Sequence, residues 1–292
     1  MHTTHHSEYL TLQSLFIKRT EAAFVSQQLL NQQWQALHYL SQPNFALALK
    51  EYADFEAYLS QAGVALSYFP FDKSLSIDSL YCRDASIATD FGMIICSMGK
   101  SGRINEPLAQ KRAFEDHHLP ILGEIMAPGT LEGGDVAWLD DKTLAVGHTY
   151  RTNASGIAQL KAMLEPRGIE IIVVPLPHYK GPSDVFHLMS ILSPVDKNLA
   201  VVYSPLMPIA FRKELLHRGF DLIEVPTTEF EAMACNVLAI APRKCIMLEG
   251  NPQTQAALLQ AGCEVLTYSG MEISVKGGGG PTCLTRPMLR IR

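Results

Sequence analysis

Five polar residues recur along this chain at a nearly even interval, each close ahead of an apolar run. Asp84, Glu132, His187, Asn236 and Cys283 stand 48, 55, 49 and 47 residues apart. A period of ~50 residues is typical of chains built as rings or arrays of like units. The flanking sequence fits that reading. Short apolar strands enclose polar turns at Asp90-Phe91-Gly92, at Asp140-Asp141-Lys142, from Pro194 to Asn198 and from Ala241 to Lys244, which predicts four hairpins. A fifth would pair a strand from Cys283 with an amino-terminal strand near Leu15 to Lys18. Helix-like stretches at Phe45 to Gln61, Ser155 to Glu165, Pro208 to Arg218 and Thr254 to Ala261 each lead into a further strand. The unit is strand, strand, helix, strand. If such units surround a pseudo-fivefold axis, the five polar residues meet at its centre. Five unrelated α/β hairpins would leave them apart. No linker or low-complexity stretch divides the chain, so residues 1–292 are expected as one domain.

Charge narrows the partners. Lys and Arg number 24 against 29 Asp and Glu, a formal charge of −5. Nucleic acid and anionic membrane surfaces both reward excess positive charge, so neither is expected. No apolar run reaches the ~18 residues that cross a bilayer. The start, MHTTHHSEYL, lacks the basic and apolar regions of a secretory signal. A cytoplasmic location with reduced thiols follows as an expectation. Residues 1–10 read as a polar, mobile tail, and a metal role for His2, His5 and His6 is the lesser reading.

The strongest local signal is Gly277-Gly278-Gly279-Gly280-Pro281-Thr282-Cys283. Four consecutive glycines are entropically costly and suit a backbone that must come close to a ligand. A cysteine directly after them is well placed as an accessible nucleophile; the alternative is a flexible turn before a buried thiol. Cys96, Cys245 and Cys263 lie in apolar surroundings and read as core, and Cys82 could line a site on the face of Asp84 but reads better as packing. In Leu131-Glu132-Gly133-Gly134-Asp135, Glu132 could orient a histidine as the acid of a Cys-His-acid set, against the alternative of a solvated turn. His187 sits in the apolar run Val185-Phe186-His187-Leu188-Met189, expected as a strand, and only its shared period with Cys283 and Glu132 lifts it above a core histidine. Arg103 and Arg151 fall in polar loops after hairpin strands and suit bidentate carboxylate recognition, unless they are ordinary surface charges. Metal-ligand spacing, a phosphate loop and a nucleophile elbow are all absent from the sequence.

Taken in order, Arg83-Asp84, Glu132-Gly133-Gly134-Asp135, His187-Leu188, Asn236-Val237-Leu238-Ala239 and GGGGPTC ending at Cys283 resemble the motifs of the guanidino-group-modifying enzymes. That superfamily contains arginine deiminases, amidinotransferases and dimethylarginine dimethylaminohydrolases. The resemblance spans about Leu15 to Arg292 and implies an α/β fold, a five-bladed propeller of ββαβ units. It also implies roles. Cys283 resembles the nucleophile, His187 the general acid and base, and Glu132 the acid that orients it. Asp84 resembles the carboxylate that grips the substrate guanidinium, Arg103 and Arg151 the holders of an α-carboxylate, and Asp78 an α-amino contact. The implied partner is a small guanidino amino acid, with no metal or organic cofactor; a homo-oligomer is left open.

Deiminases and amidinotransferases usually carry an acid two positions after the histidine, where this chain has Met189. An apolar side chain cannot accept guanidinium N–H bonds but suits N-methyl groups, so the chain looks closer to the methylarginine hydrolases. Arg83 and Gly278 point the other way, since those hydrolases tend to carry acids near both positions. The expected activity is an amidine hydrolase giving citrulline and an amine through a covalent intermediate on the cysteine. Arginine deimination, amidino transfer and a non-enzymatic propeller-fold binding protein are the alternatives.

Overall fold

The computed structural model describes residues 4–291. Fifteen strands form five three-stranded sheets, each with one antiparallel and one parallel pairing. The first sheet holds β1 (Thr11–Ile17) and β2 (Ala65–Tyr68). The next is β3 (Ser86–Thr89), β4 (Gly92–Ile95) and β5 (Ile121–Glu124), followed by β6 (Val136–Trp138), β7 (Thr143–His148) and β8 (Glu170–Pro175). The last two are β9 (Leu192–Asp196), β10 (Leu199–Val202) and β11 (Asp221–Glu224), then β12 (Leu238–Ala241), β13 (Lys244–Leu248) and β14 (Glu264–Tyr268). The carboxy-terminal β15 (Thr285–Ile291) pairs antiparallel with β1 and joins the first sheet, with Leu15 opposite Pro287 and Ile17 opposite Thr285. The two ends of the chain thus share one blade, which closes a pseudo-fivefold α/β propeller.

Each blade repeats ββαβ. The parallel third strand needs a crossover, and a helix supplies it. In the first blade that helix is Phe45–Gln61, opened by the Asn44 side chain accepting from the Leu47 N–H. Its buried residues, Ala48, Tyr52, Phe55 and Leu59, fall three or four apart and make one apolar stripe. Middle strands such as Leu199-Ala200-Val201-Val202 are buried at every residue, so both of their faces are covered. The core is divided among neighbouring blades, one cluster joining Val136 and Leu144 to Ile87 and Ile94, another joining Leu15 and Ile17 to Leu238 and Ile246.

The four expected hairpins and the closing fifth form where the sequence placed them, as do the four expected helices, within one or two residues at most ends. One blade helix, Glu106–Asp116, was not anticipated. Its buried face is made of Glu106, Pro107, Gln110, Ala113 and Phe114, too polar to show helical periodicity. Gln110 is satisfied inside by bonds with the Cys82 carbonyl and the Ser86 hydroxyl. The expected strand around His187 is also corrected: Leu188–Ser190 form a tight turn, and the strand starts at Leu192.

Residues 4–10 are not the expected mobile tail. Thr4, His6 and Glu8 are buried, and the His6 ring stacks on Trp138 at 3.7 Å between centroids. His6 exchanges bonds with Asp90, and its Nε2 lies 2.9 Å from the Asp141 carbonyl, so the segment bridges the turns of two hairpins. His2 lies outside the described residues. No helix among the described residues is long and apolar enough to cross a membrane.

Candidate active site

Asp84, Glu132, His187, Asn236 and Cys283 occupy equivalent places. Each lies in the turn just ahead of the first strand of its blade: β3, β6, β9, β12 and β15. These first strands pack on one another around the axis, β15 on β3, β6 on β9 and β9 on β12. Their leading ends therefore share one mouth of the ring. Asp84, His187, Asn236 and Cys283 line a cavity there of about 180 Å³. That is smaller than the ~300–1,000 Å³ of drug-sized ligand sites and suits one amino-acid-sized molecule.

Glu132 lies beneath this cavity with no exposed surface. Its Oε2 is 2.8 Å from His187 Nε2, and its Oε1 accepts from the Gly99 and Lys100 main-chain N–H groups at 3.0 and 3.1 Å. Burial opposes its charge, but the His187 bond and charge, with Arg151 and Arg103 nearby, hold it well below the ordinary carboxylate range. His187 is the mirror case. Burial opposes the imidazolium, yet Asp135, Asp84 and Glu132 together push it up to about 9. Asp135 is itself pushed up to about 6 by burial. It accepts from Leu188 N–H at 3.0 Å and from the Thr149 hydroxyl at 2.7 Å, so it pins the turn that carries His187. Gly134 lies against the imidazole, where a Cβ would collide with His187 Nδ1 and Asp84 Oδ1; the close approach demands glycine.

The remaining His187 nitrogen, Nδ1, lies 4.0 Å from Asp84 Oδ1. Asp84 Oδ1 is buried and has no hydrogen-bond partner among the described residues, whereas Oδ2 accepts from Arg103 Nη1. Cys283 is half-buried, whereas the other five cysteines are fully buried. Asn236 holds its loop: Oδ1 accepts from the Thr282 N–H and hydroxyl at 3.0 and 2.9 Å, and Nδ2 is 3.5 Å from the Cys283 sulfur. A Cβ on Gly280 would run into the Asn236 side chain, which accounts for one glycine of the run. Burial and then the Asp84 charge push the Cys283 thiol up, against the hydrogen bonds of Thr282 and Asn236.

Arg103 and Arg151, expected in polar loops, are not surface charges: both are buried. Arg103 presents Nε and Nη2 to Glu106 at 2.9 and 2.8 Å and also donates to the Tyr81 carbonyl, so its fork is already spent on a protein carboxylate rather than open to a bound one. Glu106, pushed up to about 7 by burial against the Arg103 charge, escaped the sequence reading because its helix did. Arg151 Nη1 lies 3.4 Å from both Glu132 oxygens at the cavity edge. Asp78 lies on the same cavity and pairs with Lys100 at 2.6 Å. Arg83 turns to Glu8, Nη2 reaching both carboxylate oxygens at 2.8 Å. Asp84, Glu132 and His187 are the one described group whose ligand atoms, within 4.8 Å of one another, could share a cation. The guanidinia of Arg103 and Arg151 on the same carboxylates oppose one electrostatically.

A closed ring of five ββαβ blades with these motifs at one mouth places the chain in a class, the guanidino-group-modifying enzymes of the pentein fold. Within that class the model of one family, described as eukaryotic N,N dimethylarginine dimethylhydrolase, matches residues 22–290, and the chain belongs to that family. It is 28% identical over 247 residues to the N(G),N(G)-dimethylarginine dimethylaminohydrolase of Pseudomonas aeruginosa, covering 85% of this chain and 91% of that one. It is 31% identical over 206 residues to the uncharacterized protein YkgA of Bacillus subtilis, covering 69% and 68%. A mutant of the Pseudomonas aeruginosa enzyme complexed with citrulline superposes with a TM-score of 0.76 at 24% identity over 95% of this chain and all of that one, a likeness of fold.

Proposed function

We propose that the chain hydrolyses the guanidino group of an N-methylated arginine, in the manner of a dimethylargininase, through a thiouronium on Cys283. One observation carries this reading most. Asp84 Oδ1 is a buried carboxylate oxygen with no hydrogen-bond partner among the described residues, on the cavity that Cys283 and His187 also line. It fits a guanidinium N–H donor. Binding the cation there would cancel the charge that holds the thiol up and so favour the thiolate.

The thiolate would add to the central guanidino carbon. His187, an imidazolium at neutral pH, gives its proton to the departing nitrogen, and the C–N bond breaks to release the amine. The neutral imidazole then takes a proton from water as its oxygen attacks the thiouronium carbon. Collapse breaks the C–S bond, returns the thiolate and yields citrulline; the second water proton passes to solvent, where the amine released earlier takes it up as ammonium. Glu132 holds His187 in place for both steps, which are worth ~10²–10⁴-fold each for general acid–base catalysis. Arg151 and Asp78 would take the α-carboxylate and α-amino groups. Arg103, held by Glu106, fixes Asp84 instead of gripping substrate. Met189, buried on the cavity wall, favours methyl groups over the bare guanidinium of arginine.

A product assay with arginine, monomethylarginine and asymmetric dimethylarginine tests the reading. Citrulline with dimethylamine is expected from the last, and Cys283→Ser should abolish it. Ammonia from arginine as the fastest reaction would make the chain a deiminase. Undiminished turnover by Cys283→Ser would exclude the thiouronium route.

A further inference from the structure

The cavity occupies one mouth of the ring. From Cys283, β15 runs along the axis toward the other mouth, where residues 4–10 cross the hairpin turns at Asp90 and Asp141. Three guanidinia are buried along that path: Arg83, Arg286 and Arg290, at 2%, 5% and 1% exposure. Arg286 donates to the carbonyls of Arg83 and Ser86, and Arg290 Nη1 to those of Leu10 and Ala239. All of these acceptors are neutral. The carboxylate that faces the group is Glu8, which spends both oxygens on Arg83 Nη2. Cys82, pushed up to about 12 by burial, stays a neutral thiol beside Arg286. Among the described residues, three positive charges therefore meet one negative charge where water screens little.

The donors repeat the imbalance. Nε and Nη1 of Arg83 and Nε and Nη2 of Arg290 are buried with no acceptor among the described residues. Buried N–H groups of a cation are costly to leave unmet. Burial and the Arg83 charge push Arg286 down to about 9, and burial, only partly offset by Glu8, pushes Arg290 down to about 10. Both directions mark a site that favours added negative charge. A monatomic ion suits it, because it accepts N–H bonds from any direction and needs little room.

We propose that Arg83, which also borders the catalytic cavity, and Arg290, with Arg286 beside them, bind one small inorganic anion of the halide class inside the ring, on the axis next to that cavity. Such an ion meets both the open donors and the excess charge; water meets only the donors.

Two measurements on the full chain decide this. Crystals grown in sodium bromide are measured at the bromine edge. The expected result is an anomalous peak within hydrogen-bond reach of the Arg83 and Arg290 side-chain nitrogens; no peak there overturns the proposal. In solution, the unfolding temperature is followed as sodium bromide replaces sodium gluconate at constant ionic strength. A saturable rise of about 5 °C at a hundredfold excess over Kd is expected, and it should vanish in Arg290→Met. An equal, unsaturating change in both proteins overturns the proposal. If Arg290→Met does not fold, the diffraction measurement on the unmodified chain decides.

Discussion

Replacing Glu132 by Gln changes more than one charge. Glu132 Oε1 accepts from two main-chain N–H groups, and Oε2 faces His187 Nε2 at 2.8 Å. Gln has one accepting oxygen. Turned toward Gly99 and Lys100 it keeps two bonds, and its NH₂ then points at His187 Nε2. That nitrogen must become an acceptor, so the ring is held neutral with its proton on Nδ1. In the native protein His187 lies at about 9 rather than 6.5, a preference for the imidazolium worth about 3 kcal/mol. In Glu132→Gln we expect the value to fall to 6.5 or below. At pH 7.5 no more than about a tenth of the rings would then carry the proton needed for the leaving amine, and with the ring misaligned kcat should fall ~10²–10⁴-fold. Stability should follow the same linkage. His187 has a raised value in the folded state, so its contribution is complete below pH 6.5 and is lost as pH rises through about 9. Glu132 has a lowered value, so its contribution is present above about pH 4.5 and is lost in acid. The stability gap between the native chain and Glu132→Gln should be widest between those limits and narrow above pH 9. Nitrogen NMR of the labelled imidazole from pH 5 to 10, beside amine release, reads both effects. A folded Glu132→Gln protein whose His187 still titrates near 9 would refute the reasoning.

Three further outcomes rest on single contacts. Asp84→Asn removes the charge that, after burial, holds the Cys283 thiol up, so iodoacetamide should label Cys283 several-fold faster at pH 8 while turnover is lost; an unchanged labelling rate would contradict the electrostatics. Met189→Glu places an acceptor on the cavity wall and should raise the preference for arginine over dimethylarginine by about tenfold or more, at a stability cost of a few kcal/mol for the buried acid; an unaltered substrate ratio would remove Met189 from the specificity argument. Glu8→Ala leaves the buried Arg83 guanidinium without its carboxylate and should cost about 3–5 kcal/mol in urea unfolding; a loss below ~0.5 kcal/mol would mean that residues 4–10 do not pack as described.

Much of the ring was legible in the order of residues. Hairpin turns announce themselves through Asp, Gly, Pro and Lys between apolar runs, and the even recurrence of Asp84, Glu132, His187, Asn236 and Cys283 follows from one unit repeated five times. The helix Glu106–Asp116 was hidden because its buried face is partly polar. Patterning detects apolar periodicity, and a buried Gln110 satisfied by hydrogen bonds leaves none. Residues 4–10 were hidden for a related reason. His6 and Glu8 look like solvated groups until Trp138 and Arg83 are beside them.

The repeat, the residue types at its openings and the family they resemble can all be read from residue order alone. These depend on local chain direction and on spacing along the chain. Which charges neutralise which emerges once the chain has folded. Arg103 sits on Glu106 and Asp84, Arg83 on Glu8, and Asp84 keeps one oxygen without a partner. Those pairings join residues up to 75 positions apart, and their strength depends on burial that arises only once the last strand has closed the ring. Electrostatics acts through space and through the dielectric around it, and neither is written in the order of the residues.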